Sequence, residues 1–202
     1  LEEGPGRVIP RCSLFERCGG CDWQHVPYAD QLKAKQEQLN DTLTRIGTLG
    51  IVPVEDIAHG SQEFNYRNRI QGEVRGGKFH YKKRRSDERI AVDRCEIAEE
   101  PINDWLASDL SQIPAGRVEV AVVDGAVVVL PITEKNTTEL GFRQVNTEVS
   151  DLLTERLLAT VKKSACSTII DLYCGRGSWT NQIGALYRDK QVMGVDASAE
   201  NI

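Results

Sequence analysis

No apolar run in the 202-residue sequence approaches the roughly 20 residues that a membrane-spanning helix needs. The longest candidate, Ala121 to Leu130, is interrupted by Asp124 and Gly125. A spanning helix is thereby excluded. There is no internal repeat and no low-complexity tract, which removes solenoid and compositionally disordered classes. Leu1, Glu2, Glu3 and Gly4 supply neither an initiating Met nor the basic and apolar regions of a secretory signal, so we expect the natural start to lie upstream. With 40% hydrophobic residues the chain can bury a core, and its length corresponds to one or two domains.

Net charge is -5, unevenly spread. Residues 64 to 95 hold ten Lys and Arg (Arg67, Arg69, Arg75, Lys78, Lys82, Lys83, Arg84, Arg85, Arg89, Arg94) against four acids, a local +6, and the remainder carries -11. A basic strip on an acidic protein suits a phosphate-binding surface that avoids indiscriminate polyanion binding. A solvated hairpin is the other reading that charge alone allows.

Residues 5 to 25, rich in Gly, Pro and Cys, have no apolar periodicity and read as a loop ordered by a ligand. Leu32, Leu39, Leu43 and Ile46 recur at helical spacing, which predicts an amphipathic helix from Tyr28 to Ile46 closed by Gly47. Short strands follow from about Glu63 to Val92, turning at Gly76-Gly77. A helix is expected over Glu99 to Ile113, then a hairpin with Asp124-Gly125 at its turn. Asn146 can cap a further helix that buries Val149, Leu152, Leu153, Leu157 and Val161. Beyond it, a strand over Ser167 to Tyr173, a helix over Ser178 to Arg188 and a strand over Gln191 to Asp196 form one βαβ opening of a nucleotide-binding sheet.

Four of the six cysteines carry the most chemistry. Five residues separate Cys12 from Cys18, two separate Cys18 from Cys21, and Cys95 lies a further 73 residues on. Iron-sulfur centres take closely spaced cysteines from one wrapping loop and a distant fourth from elsewhere. Gly19 and Gly20 permit the wrapping and let peptide N–H groups approach sulfur. Structural zinc is the rival, although its ligands usually arrive as two short-spaced pairs and only Cys18 and Cys21 form one here. A disulfide framework or a thioredoxin-like pair fits less well. His25 is either a substitute ligand or a hydrogen-bonding partner. Cys166 is expected to be an ordinary buried cysteine.

The segment Asp171-Leu172-Tyr173-Cys174-Gly175-Arg176-Gly177 follows an apolar strand, where a glycine turn brings backbone close to a ligand. Asp196 ends the next strand, where a carboxylate can accept hydrogen bonds from both ribose hydroxyls of an adenosine group. A dinucleotide site would want a third glycine where Thr180 stands, so S-adenosylmethionine is the better candidate. An unliganded α/β turn is the alternative from these residues alone.

Taken in order, Cys12 to Cys21 with Asp22-Trp23-Gln24-His25, Tyr66-Arg67, Asp93-Arg94-Cys95, Phe142-Arg143-Gln144-Val145-Asn146 and Asp171 to Gly177 resemble the RNA (uracil-5-)-methyltransferases. The similarity is to their cluster-bearing branch, which modifies 23S ribosomal RNA and, in some members, transfer RNA. The resemblance implies a 4Fe-4S cluster on Cys12, Cys18, Cys21 and Cys95. It implies S-adenosylmethionine contacts at Gln144, Tyr173, Ser178 and Asp196, beside the Gly175 and Gly177 turn, and an aromatic at Phe142 near the extruded uracil. Ser178 stands where the family usually has Asn, and Asp196 where it usually has Glu; both keep an oxygen acceptor. With the strip, the expected RNA contacts are Phe142, Arg67, Lys82, Lys83, Arg84 and Arg85.

The expected fold class is α/β, incomplete. A small irregular iron-sulfur loop and helix fill residues 1–48, and an α+β central domain that supplies Cys95 fills 49–145. The first βαβ of a Rossmann-like class I methyltransferase domain fills 146–202. The expected chemistry is methylation of uridine carbon 5, in which a thiolate adds to the adjacent ring carbon so that the base itself becomes nucleophilic. No cysteine here fits that nucleophile, so no catalytic residue is assigned within these residues and the fragment alone is expected to be inactive. The resemblance further implies a cytoplasmic protein, monomeric at full length, with RNA as partner. The main competing reading is an iron-sulfur-stapled RNA-binding module that transfers no methyl group.

Overall fold

The computed structural model describes Gly4, residues 6–132 and residues 144–197. The chain divides into two compact units, residues 1–129 and 130–202. It is a mixed α and β protein, and among the described residues no helix is long and apolar enough to cross a membrane.

In the first unit, α1 runs Tyr28–Asp41 and continues as one π-helical turn, Thr42–Ile46. The Thr42 hydroxyl donates to the Gln38 carbonyl at 2.7 Å, a local bond of the kind that competes with regular helical pairing, and Gly47 N–H then returns to the Thr42 carbonyl at 2.8 Å. The expected apolar face is therefore not a buried stripe: no α1 residue is fully buried, and Leu39 and Ile46 are exposed.

Five strands form the sheet: β1 Arg69–Arg75, β2 Lys78–Lys82, β3 Arg89–Ala91, β4 Gly116–Val123 and β5 Ala126–Pro131. Their order is β3-β2-β1-β4-β5, and β1 is antiparallel to both β2 and β4. Both predicted two-residue turns are present. Gly76 and Gly77 have φ of 57° and 72°, and Asp124 and Gly125 have 51° and 80°, the left-handed pairs that twist-matched hairpins use. One sheet face buries Ile70, Val74, Phe79, Ile90, Val118 and Val120, at the alternate positions a pleated strand dictates.

Helix α2, Glu100–Ala107, adds Ile102 and Leu106 to that core. It is shorter than the sequence pattern suggested. Ser108 returns both its N–H and its hydroxyl to the Trp105 carbonyl, and the Asp109 carboxylate takes the Ser111 N–H at 2.9 Å, so a side-chain-capped turn replaces further helix. On the opposite face Glu119, fully buried, is paired with the Arg69 guanidinium and accepts from the Gln71 amide at 2.7 Å.

In the second unit, α3 spans Thr147–Lys163, and the Asn146 side chain caps it by accepting from Val149 N–H at 3.0 Å. Val161 is buried, whereas Leu153, expected in the same stripe, is exposed. Strands β6, Thr168–Leu172, and β7, Gln191–Val195, are parallel neighbours joined through α4, Ser178–Leu186. The βαβ crossover read from the sequence is thus formed.

Phe79, fully buried, lies directly over Gly72, and a methyl there would overlap both its ring and the His80 carbonyl. Gly72→Ala is expected to destabilise the chain by about 1–3 kcal/mol through overpacking. Denaturant unfolding checks this; an unchanged midpoint would show that the sheet yields.

Candidate metal centre and cofactor loop

The loop bearing Cys12, Cys18 and Cys21 is stitched to the C-terminal end of β2. Cys18 and Lys83 form an antiparallel bridge, Gly19 N–H donates to the Lys82 carbonyl at 3.0 Å, and Arg84 N–H donates to the Arg17 carbonyl at 2.8 Å. A side chain at Gly19 would press on the Lys82 carbonyl at 3.3 Å, so the close approach favours glycine. Cys95 arrives from beyond β3. Its N–H donates to the Asn103 carboxamide oxygen at 2.8 Å, and the buried Asn103 donates in turn to the Ala98 carbonyl at 3.1 Å. The polar Asn103 inside α2 thereby holds the fourth cysteine's backbone.

These elements bring four cysteines into mutual electrostatic range. Cys12 and Cys95 both act on Cys18, and all three act on Cys21. None is bridged in a disulfide. Burial pushes the Cys18 and Cys21 thiols up, and the neighbouring sulfurs add to it. Several donors address the sulfurs. Gly20 N–H reaches Cys18 Sγ at 3.4 Å, and the Gln24 side chain bonds Cys21 while its oxygen accepts from Cys12 N–H at 3.1 Å. Tyr81, packed edge-on against Phe79, hydrogen-bonds Cys95. Among the described residues, no group of three or more His, Cys, Asp and Glu side chains is arranged to hold a single metal ion.

Arg84, expected to face RNA, turns toward this loop instead. Its Nη2 donates to the Cys21 carbonyl at 2.6 Å and pairs with Asp22 at 2.7 Å, while its buried Nε has no partner. The other bases of the strip are spread out. Lys82 pairs with Asp87 at 2.6 Å and Lys83 with Glu88, both in solvent where such pairs contribute little, and Arg85 is exposed at φ 52°. Arg67 lies beside Ala98, its Nε donating to the Arg69 carbonyl at 2.9 Å. Buried His25 Nδ1 has no partner, and its ring packs on Phe15 at 5.5 Å. Cys166 is a correction: it is exposed, receiving the Ser164 hydroxyl at 2.9 Å, because the segment ahead of β6 is uncovered.

In the second unit the glycine turn has left-handed φ at Tyr173 (61°), Gly175 (54°) and Gly177 (75°), and Gly177 caps α4. Gly175 N–H donates to Asp196 Oδ2 at 2.8 Å, Cys174 N–H to the Val195 carbonyl at 3.1 Å, and the Thr180 hydroxyl to Asp171 at 2.7 Å. The turn and the acid at the end of β7 are therefore adjacent. Thr180, where a dinucleotide turn would carry glycine, serves to hold Asp171. Tyr173 is 87% exposed, Ser178 opens α4, and no protein atom crowds the space over Gly175. Gln144 is exposed, and Phe142 lies outside the described residues.

No protein-family model matches the chain. Over 97% of its length it is 26% identical to a protein of Bdellovibrio bacteriovorus named an uncharacterized RNA methyltransferase, covering 51% of that protein. A Thermosynechococcus vestitus protein of like name is 30% identical over 77% of this chain and 32% of its own length. One from Thermotoga maritima is 40% identical over 50% of this chain and 22% of its own. The chain is a relative of the RNA methyltransferases. It spans about half, or less, of the length of these relatives.

Against that background the residues that sequence reasoning passed over are the supports of the cysteines: Tyr81, Asn103 and the carboxamide of Gln24. Tyr81 was accessible from the alternation that puts it on the Phe79 face of β2. Asn103 carries no signal in a single sequence. For the metal-free chain, iodoacetamide at mildly alkaline pH is expected to modify exposed Cys166 first, with Cys18 and Cys21 lagging because burial keeps them protonated. Mass mapping of the adducts checks this; equal rates at all three would contradict the burial.

Proposed function

We propose that this chain is part of an S-adenosylmethionine-dependent enzyme that methylates carbon 5 of a uridine in RNA, with 23S ribosomal RNA as substrate. It would act in the cytoplasm, as a monomer at full length. The observation that carries the reading is the meeting of Cys12, Cys18, Cys21 and Cys95 in a relative of RNA methyltransferases.

A 4Fe-4S cluster suits this donor set. Four unbridged thiols and no carboxylate surround the position, as soft-ligand clusters require. A single tetrahedral zinc would draw its sulfurs to about 3.8 Å from one another, given a Zn–S bond of about 2.3 Å. A cluster ligated at each corner iron keeps them wider, consistent with four sulfurs that interact yet form no single-ion site. The unpartnered Arg84 Nε–H is a donor that inorganic sulfide could accept. With every corner ligated by cysteine, the cluster's role is structural: it ties the N-terminal loop to the sheet.

In the second unit, S-adenosylmethionine would bring an electrophilic methyl group. Asp196 is placed to accept from ribose hydroxyls, exchanging its bond to Gly175 for them. The open backbone of Gly175 and Gly177 leaves room for the cofactor, Tyr173 offers an uncovered ring, and Ser178 and Gln144 add polar contacts. Lys82, Lys83, Arg85 and Arg67 would neutralise phosphates, the weak surface pairs of the lysines yielding to RNA. Phe142 would rest against the extruded base.

The test uses a protein carrying this chain within the full length of its relatives, with methyl-labelled S-adenosylmethionine and 23S ribosomal RNA. Nucleoside analysis is expected to find the label in 5-methyluridine. RNA binding without label transfer would favour a cluster-stapled binding module, and label at another atom would refute the proposed reaction.

A further inference from the structure

Tyr81 is placed unlike any other polar residue near the cysteines. It sits on β2, paired across the sheet with Ile90 of β3, and its ring meets the fully buried Phe79 edge-on with centroids 5.1 Å apart. Both Tyr81 and Cys95 pack against the hydrophobic core. The tyrosine therefore points from the rigid centre of the sheet to the one cysteine that comes from a distant part of the chain. Its hydroxyl bonds that cysteine, and burial with the nearby sulfur pushes its acidity far down, so the group remains an O–H donor. Cys95 is thus held twice, at its backbone by Asn103 and at its sulfur by Tyr81.

We propose that Tyr81 is a positioning residue of the metal centre: its O–H donates to Cys95 Sγ, fixes that ligand's direction and withdraws negative charge from the cluster. The inference rests on the cluster reading given above. Hydrogen bonds to ligating sulfur are among the levers that set cluster potentials, because the reduced cluster is the more negative and accepts them more strongly. A hydrogen bond to a charged acceptor contributes roughly 1.5–3 kcal/mol. If about 1.4 kcal/mol of it favours the reduced state, the reduced-to-oxidised ratio at a given potential changes about tenfold, or about 59 mV for one electron. A purely packing role would leave that ratio alone, since the Phe ring fills nearly the same space.

The experiment is an anaerobic potentiometric titration of the reconstituted chain, followed by electron paramagnetic resonance, comparing the natural sequence with Tyr81→Phe. The variant is expected to bind iron and sulfide normally and to show a lower midpoint, with the reduced form about tenfold less populated at a fixed potential. In a second arm the natural sequence is produced with 3-fluorotyrosine, a stronger donor of nearly the same size, and the midpoint is expected to rise. The rise should persist with Tyr66→Phe and vanish with Tyr81→Phe. If the Phe variant does not fold, the fluorotyrosine arm with Tyr66→Phe decides alone. A cluster-loaded chain whose midpoint does not move would overturn the role of Tyr81 and leave the cluster reading intact. A natural sequence that takes up no iron and sulfide would remove both.

Discussion

The first unit depends on drawing Cys95 to three cysteines more than seventy residues earlier. Neither partner is free to drift. The early loop is stitched backbone to backbone along Arg17, Gly19 and the end of β2, and Cys95 is fixed from below by Asn103 and Tyr81. Both sets of supports belong to one core, built on Ile70, Val74, Phe79 and Val120. A loop without apolar periodicity thereby acquires a defined place: the sheet supplies rigidity, and the sulfurs converge where sheet and loop meet. Protonated thiols clustered this way gain little from one another, and deprotonating them together without a cation would set like charges side by side in partly buried surroundings. Multivalent iron reverses that balance, because a metal deprotonates a coordinating thiol outright.

Much of this was legible in the residues. The hairpin turns at Gly76-Gly77 and Asp124-Gly125, the Asn146 cap and the βαβ crossover each follow from local rules that tertiary packing left in force. Cysteine spacing and a glycine turn followed by an acid are likewise patterns that one sequence displays. The failures have a common cause. Leu39, Ile46 and Leu153 were assigned to buried faces by period alone, but periodicity says which residues share a face and not whether another element covers it. Helix α2 ended early because Asp109 and Ser111 formed a local turn, a competition that apolar period does not register. Arg84 was counted with its neighbours as a phosphate ligand because charge runs do not report direction. The left-handed backbone of Arg85 belongs to a turn between β2 and β3, beside which Arg84 reaches back to Asp22 and the Cys21 carbonyl.

The second unit adds the other half of the functional argument independently. Its parallel strands place a left-handed turn and Asp196 within one hydrogen bond of each other. Asp171, the acid at the start of that turn, is held by Thr180 from the next helix, and Cys174 packs against Gly194, where a side chain would collide with its sulfur. The turn is therefore braced from the helix and from the neighbouring strand. A backbone fixed in that manner is preorganised for a ligand at the strand ends, where open α/β sheets bind them.

The most direct measurement is the anaerobic absorption spectrum of the reconstituted chain with iron and acid-labile sulfide quantified, beside the same analysis of Cys95→Ala. A brown protein with about four iron and four sulfide per chain, lost or destabilised when Cys95 is removed, is the predicted result. A colourless chain that binds one zinc through the same cysteines, or one that holds its full iron without Cys95, would contradict it.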